Sequence, residues 1–350
     1  MLAPVTHILP LTTIRRERLL PVPGKVIVRK GQKVGATDTV AEANLAPEHL
    51  LVDVARGLGM QVEKADQQIK VTAGDQVSEG DVVAGPVGLT RRVVRSTRRG
   101  KVILAGGGQV LIDVQDNPFE LKAGLPGVVS DLIPDRGAVI EATGTLIQGV
   151  WGNGGIDFGL MYVLAAAPDQ LLTPDQLDVS LRGSIILAGH CEDAGVIKTA
   201  VELPLRGLIL SSLEPDLIPL ASKMRVPLLV VEGFGQRPMN SAAFKLLTSN
   251  ERREVALNAE PWDRYAGTRP EIVIPLPATG ELPVPKETVF FTPGQQVRVL
   301  SNPYAGKIGI LVEIPGLTVF ATGLRAPGAE VRFENGESAI LPLANLDVFA

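Results

Sequence analysis

The 350-residue sequence has a single cysteine, Cys191, which excludes an internal disulfide and leaves no second thiolate for a metal site. That scarcity fits a reducing compartment, so the cytoplasm is the expected location. Aromatic residues are few, at 4 %, and charged residues, at 21 %, are too few for a disordered, solvated chain. Long hydrophobic runs are missing too. The longest, near Phe158 to Pro168, is far short of a bilayer span, and prolines and His7 interrupt the N-terminal stretch where a signal peptide needs an unbroken apolar run. No sign of charge dominates. A formal net charge of −4 excludes polyanion binding by bulk electrostatics. What the chain does have is apolar material, 45 % of residues, with 37 glycines, 27 prolines and many valines and isoleucines. That mixture predicts short strands and tight turns, distributed over several modules at this length.

An internal repeat is the first organised feature. Val28, Gly31, Val34, Asp38, Val40 and Ala41 recur as Val71, Gly74, Val77, Asp81, Val83 and Ala84 at one constant offset. Each copy reads as short strands separated by turns, with the valines on a buried face and the glycines at turns of positive φ. The stretch from Arg95 to Val102, followed by Gly106-Gly-Gly-Gln-Val-Leu-Ile-Asp113, reads as a closing half. Residues 20 to 114 resemble the barrel-sandwich hybrid fold of biotinyl and lipoyl carrier domains and of electron-transport subunits of the RnfC type. Carriers of that kind attach their prosthetic group to a lysine at a hairpin tip. The tip here falls at Gly88-Leu89-Thr90, with no lysine, so no cofactor is expected. Pro47 to Gly59, with Leu50, Leu51, Val54 and Leu58 on one face, reads as a short inserted helix.

The remaining organisation divides the chain into residues 1–117, a Gly-rich β connector at 118–178, a small α/β domain at 179–260, a Pro-rich linker at 261–285 and a last domain at 286–350. In the α/β segment, short apolar strands alternate with helices, which predicts a parallel sheet. Its order is similar to the swivelling β/α domains of phosphotransfer enzymes, in topology alone. Pro293-Gly-Gln-Gln-Val-Arg-Val299, Pro303-Tyr-Ala-Gly-Lys-Ile-Gly-Ile-Leu-Val312 and the Asn335-Gly336 hairpin signal resemble a KOW-type SH3-like barrel. The resemblance implies contact with RNA, ribosome or transcription machinery. Arg298, Tyr304 and Lys307 are its candidate contacts. Residues 286–350 hold five basic and six acidic side chains, a balance that suits a protein partner better than phosphate.

Three further constellations are open to a functional and a bland reading. Arg91, Arg92, Arg95, Arg98, Arg99 and Lys101 form the densest basic run, either a phosphate or RNA contact or a solvated hairpin face. Gly189-His190-Cys191-Glu192-Asp193 ends a strand and opens a helix, where ligands sit in parallel sheets. Yet adjacent side chains point apart, and Glu192 and Asp193 serve equally as N-terminal helix carboxylates. Gly233, Gly235, Arg237 and Asn240 form a loop after another parallel strand, the best small-ligand candidate or a plain strand-to-helix turn. The fold class expected is therefore a multidomain, β-rich α/β chain: barrel-sandwich hybrid, small parallel α/β domain, SH3-like barrel. The expected role is non-catalytic binding or scaffolding of protein partners in a cytoplasmic assembly, without membrane insertion. The alternatives are weak RNA or ribosome contact through the KOW-like region, and an enzyme or small-ligand sensor using the α/β strand ends.

Overall fold

A computed structural model describes residues 2–349 apart from 46–47, 89–90, 115–117, 264–267, 279, 281 and 283. The chain is β-rich, with its strands shared among several sheets. It divides into two compact units. The larger comprises Met1–Leu19, Ile27–Val40 and Lys122–Ala350, the smaller Leu20–Val26 and Ala41–Leu121.

Four parallel strands organise one half of the larger unit's eleven-stranded sheet: Ile156–Val163, Ile185–Cys191, Gly207–Leu213 and Leu228–Phe234. Every residue of the middle two is buried, as it must be when both faces are covered. Alternation sorts the side chains. Ile186, Ala188, Leu208, Leu210 and Val230 enter one apolar cluster with Val196, Ile197 and Ala200 of the Ala194–Glu202 helix. Ile185, Leu187, Ile209, Leu229 and Val231 enter the other, with Ala243 and Leu247 of the Ser241–Thr248 helix. Asp193 and Asn240 cap these helices through their side chains, so each helix start is written in the sequence.

The other half is antiparallel and corrects one expectation. The proline-dense linker contains a central strand, Glu271–Pro275, paired with Glu254–Asn258 on one side and Gly137–Gln148 on the other. Pro270 and Pro275 bracket this strand instead of interrupting it, and the β-branched Ile272, Val273 and Ile274 between them are fully buried. The Gly-rich connector likewise supplies Gly137–Gln148, the strand on which Ile8–Leu19 and Gly127–Ile133 also pair.

A seven-stranded sheet carries the C-terminal residues, in the order Thr288–Phe290, Leu2–Thr6, Leu346–Phe349, Gln296–Val299, Ile308–Val319, Arg325–Phe333, Ser338–Pro342. Among the described residues it is open at both ends, with no closure into a barrel. Its second strand comes from the chain's start and runs parallel to Leu346–Phe349. Residues 286–350 therefore do not make this sheet alone.

The repeat is visible as a repeated set of hydrogen bonds. Gly31 N donates to Val129 O and Gly74 N to Val102 O, both at 2.8 Å, and φ is +81° and +103° at the two glycines. Asp38 accepts from Gly35 N at 2.8 Å, and Asp81 from Ser78 N at 2.7 Å. Lys33–Val34 pairs with Gly127–Ile133 as Gln76–Val77 pairs with Gly100–Gly106. The first copy, as far as Val40, lies in the larger unit and the second in the smaller, so the expected 1–117 segment is shared between them.

In the smaller unit, a four-stranded sheet runs Glu48–Asp53, Gln109–Val114, Gly100–Gly106, Gln76–Val77, beside the paired strands Val82–Val87 and Arg92–Arg95. The expected helix from Pro47 is corrected. Residues Glu48–Asp53 are extended, and only Val54–Leu58 is helical, capped by Asp53 and ended by Gly59 at φ +68°. Pairing with Gln109–Val114 sets the two faces: Leu50 and Val52 pack on the core, while His49, Leu51 and Asp53 face out.

Candidate functional site

The parallel strands bring His190 and Ser212 into register at their C-terminal ends, where α/β sheets place ligands. Ser212 Oγ donates to Arg237 O at 3.0 Å and accepts from Arg237 N at 3.1 Å. Its one proton is thereby committed, so His190 Nδ1, 2.9 Å away, is the donor between them. Nε2 faces Glu192 Oε2 at 3.8 Å and Glu214 Oε2 at 4.0 Å. This resembles a nucleophile–base pair only superficially. The Ser212 hydroxyl is buried and points its proton at a carbonyl, away from the imidazole.

Cys191 is no better a nucleophile. Burial pushes its thiol up to about 12, and the thiol donates to Asp193 O. Asp193 is the cap of the following helix, accepting from Gly195 N at 2.7 Å. The His-Cys-Glu-Asp cluster thus separates into a positioned imidazole, an inert thiol, an exposed carboxylate and a cap. Among the described residues no group of three or more His, Cys, Asp or Glu is arranged to hold a metal.

The Gly233 to Asn240 loop is occupied by structural bonds. Asn240 accepts from Ala243 N at 2.8 Å and donates its amide to Glu232 Oε1. Arg237 Nε donates to Phe234 O at 3.1 Å. Gly233 and Gly235, at φ +132° and +73°, let the chain turn back so that Arg237 meets Ser212. Trp151 packs edge-on against Phe234, ring centroids 6.0 Å apart.

The basic run is spread over different strands of the smaller unit. Arg92 and Arg95 lie on one strand pair and Lys101 on the four-stranded sheet, opposite Asp113. Arg95 Nη1 donates to Gly80 O and Arg98 Nη1 pairs with Glu48, each at 2.6 Å. Arg91, exposed at φ +48°, and the exposed Arg99 complete the run. The lysine-free tip at Leu89 and Thr90 lies outside the described residues.

One KOW-type candidate is corrected by burial. Arg298 is 3 % exposed, because its strand turns it inward onto Asp347 Oδ2 at 3.0 Å and Glu232 Oε2 at 3.6 Å. It cannot reach a partner. Tyr304 and Lys307 do stay together: Tyr304 stacks on Phe333 at 4.9 Å, and Lys307 Nζ lies 5.0 Å from the Tyr304 ring centre. The Tyr304 hydroxyl donates to Glu337 at 2.8 Å, a bond that raises its pKa.

The feature that sequence reasoning missed is the outer face of the smaller unit's sheet. Leu51, Leu111 and Leu104 are direct cross-strand neighbours. A bulge between Val102 and Leu104 leaves Ile103 unpaired, and Ile103 and Leu104 are 42 % and 60 % exposed. Leu51 is 55 % exposed. The next row on this face is His49, Asp113 and Lys101, so the aliphatic row has a polar margin. The signal was readable in the adjacent Val102-Ile103-Leu104, which breaks strict alternation.

No protein-family model matches the chain, and no curated protein matches its sequence. Its function has to be argued from these residues. No helix among the described residues is long and apolar enough to cross a membrane.

Proposed function

We propose that the chain is a non-catalytic binding or scaffold protein that holds a protein partner against the smaller unit's sheet, within a larger cytoplasmic assembly. The observation that carries this is the contiguous row of Leu51, Leu111, Leu104 and Ile103 on a solvent-facing surface. Single exposed leucines are ordinary, but a continuous aliphatic row with a polar margin has the form of a docking surface. These side chains are already about half covered, so burying the remainder contributes roughly 1 kcal/mol apiece, which in sum offsets part of the cost of association.

The repeated bond set supports the barrel-sandwich resemblance, whose relatives include docking and carrier modules. The Asn335-Gly336 turn, with Gly336 at φ +84°, supports the KOW-like one. A second reading, contact with RNA or the ribosome, is favoured by Tyr304 and Lys307 lying together on the C-terminal sheet.

The test compares proteins that co-purify with the full chain and with the Leu51→Asp, Leu104→Asp double variant from its own host. Both side chains face out, so the variant should keep its melting temperature and lose the specific partner. An unchanged partner set from the folded variant would overturn the proposal.

A further inference from the structure

The smaller unit's four-stranded sheet ends on one side in Glu48–Asp53, which pairs with Gln109–Val114 and with no other described strand. Alternation along the strand fixes which backbone groups that pairing uses. Val54 N donates to Gly108 O at 2.9 Å, so in this register the ladder bonds run through Val52, Leu50 and Glu48. The Gly107-Gly108 turn agrees. Gly106 and Gln109 close it as a bonded pair, which commits Gln109, Leu111 and Asp113 to the strand on their other side. The N–H and C=O groups of His49, Leu51 and Asp53 therefore point to the open edge of the sheet.

An edge with free backbone groups is a template for another strand, and natural edges are commonly guarded by proline, lysine or a bulge. Glu48–Asp53 contains no proline or lysine, and its register with Gln109–Val114 runs without a bulge. The opposite edge of the same sheet is only Gln76–Val77, too short to serve in its place.

The side chains of the same three residues are exposed, and they state which strand fits. Antiparallel pairing of this strand with itself, Leu51 opposite the second copy's Leu51, sets His49 opposite Asp53 at both ends. Facing residues share one side of a sheet, so each imidazole meets a carboxylate and the leucines meet on the two-fold axis. Asp53 can make this contact while capping its helix, because Oδ1 takes Arg56 N at 2.9 Å and leaves Oδ2. Placing Leu50 on the axis instead would set Asp53 opposite position 47, outside the strand. Only the Leu51-centred register uses all three outward residues. It also continues the Lys101, Asp113, His49 row into a carboxylate, so that basic and acidic groups alternate.

We propose that the chain self-associates through this edge: the Glu48–Asp53 strands of two copies pair antiparallel about Leu51, joining their four-stranded sheets into one. The contact uses the edge and leaves the face open, so the row of Leu104, Leu111 and Leu51 runs unbroken from one copy into the other. It does not rest on the partner-docking reading, since it needs only the strand edge.

The experiment is sedimentation velocity of the purified full chain, with no partner present, from about 1 to 200 µM. Wild type should show a reversible monomer–dimer equilibrium. His49→Asp sets carboxylate against carboxylate at both ends and should weaken the dimer at least about tenfold, whereas His49→Lys should keep it. Cross-linking locates the axis, because the one native thiol, Cys191, is buried. Leu51→Cys places two Cα atoms about 5.5 Å apart, within disulfide range, and should cross-link under mild oxidation. Leu104→Cys, although 60 % exposed in wild type, should not. At about 4.8 Å per strand it lies about 24 Å from its counterpart. A monomer at every concentration, undiminished dimerisation of His49→Asp, or cross-linking of Leu104→Cys as readily as Leu51→Cys would each overturn the proposal.

Discussion

Ionisable side chains are built into the interior of the larger unit. Arg298 lies between Asp347 and Glu232, and Thr6 completes the cluster by donating to Asp347 at 2.8 Å. Such a cluster is costly to desolvate and costlier to leave half-made, so it fixes which strands meet. His7 is the neighbouring group with a readable pH consequence. Burial, with Arg16 and Arg269 nearby, lowers it from 6.5 to about 4. A histidine whose folded pKa is depressed stays neutral in the native state while the unfolded chain takes up a proton. The associated stability is complete above pH 6.5 and is lost as pH falls toward about 4. Between pH 7 and pH 5 this group alone should remove about 2 kcal/mol. Urea unfolding at the two pH values, for wild type and His7→Phe, measures it. An identical pH dependence in the folded variant would remove His7 as the cause.

Elements show where backbone chemistry was decisive. Gly100 and Gly127 occupy the same place in the two halves of the repeat, each where a strand passes close to its neighbour. A Cβ there would collide with the carbonyl of Asp113 or of Glu141. Gly127→Ala should therefore cost about 1–3 kcal/mol, while Val128→Ala, one residue along and partly exposed, should cost much less. Thermal unfolding of the pair checks this, and equal losses would show that close approach is not the constraint. At this scale much was legible. The repeat and the parallel strands follow from valine spacing and continuous apolar runs, while Asn240, a ligand-loop candidate in the sequence, is the cap of the Ser241–Thr248 helix. The strand at Glu48–Asp53 was not, because Leu50, Leu51, Val54 and Leu58 fit a helical face as well as an extended one. Only the pairing with Gln109–Val114 decides between them.

For the whole molecule, chain order misleads about what folds with what. The C-terminal sheet takes Leu2–Thr6 between Thr288–Phe290 and Leu346–Phe349. Residues 286–350 alone would lack that strand and expose two new edges. A fragment of these residues should give no cooperative thermal transition and a poorly dispersed NMR spectrum. Adding residues 2–7 as a covalent N-terminal extension should restore order. Cooperative unfolding of the fragment alone would show that the inserted strand is dispensable.

Local pattern determined the β-rich class, the repeat, the parallel segment, the capped helices and the turns at Gly31 and Gly74, because each depends on residues near one another in the chain. Tertiary structure decided the rest. Burial removed Arg298 from the surface, and strand order placed Glu271–Pro275 at the centre of a sheet. Cross-strand register gathered Leu51, Leu111 and Leu104. Packing left the buried His7 ring without a hydrogen-bond partner beside Arg269. Register and burial are sums over partners distant in sequence, which local residue spacing does not encode.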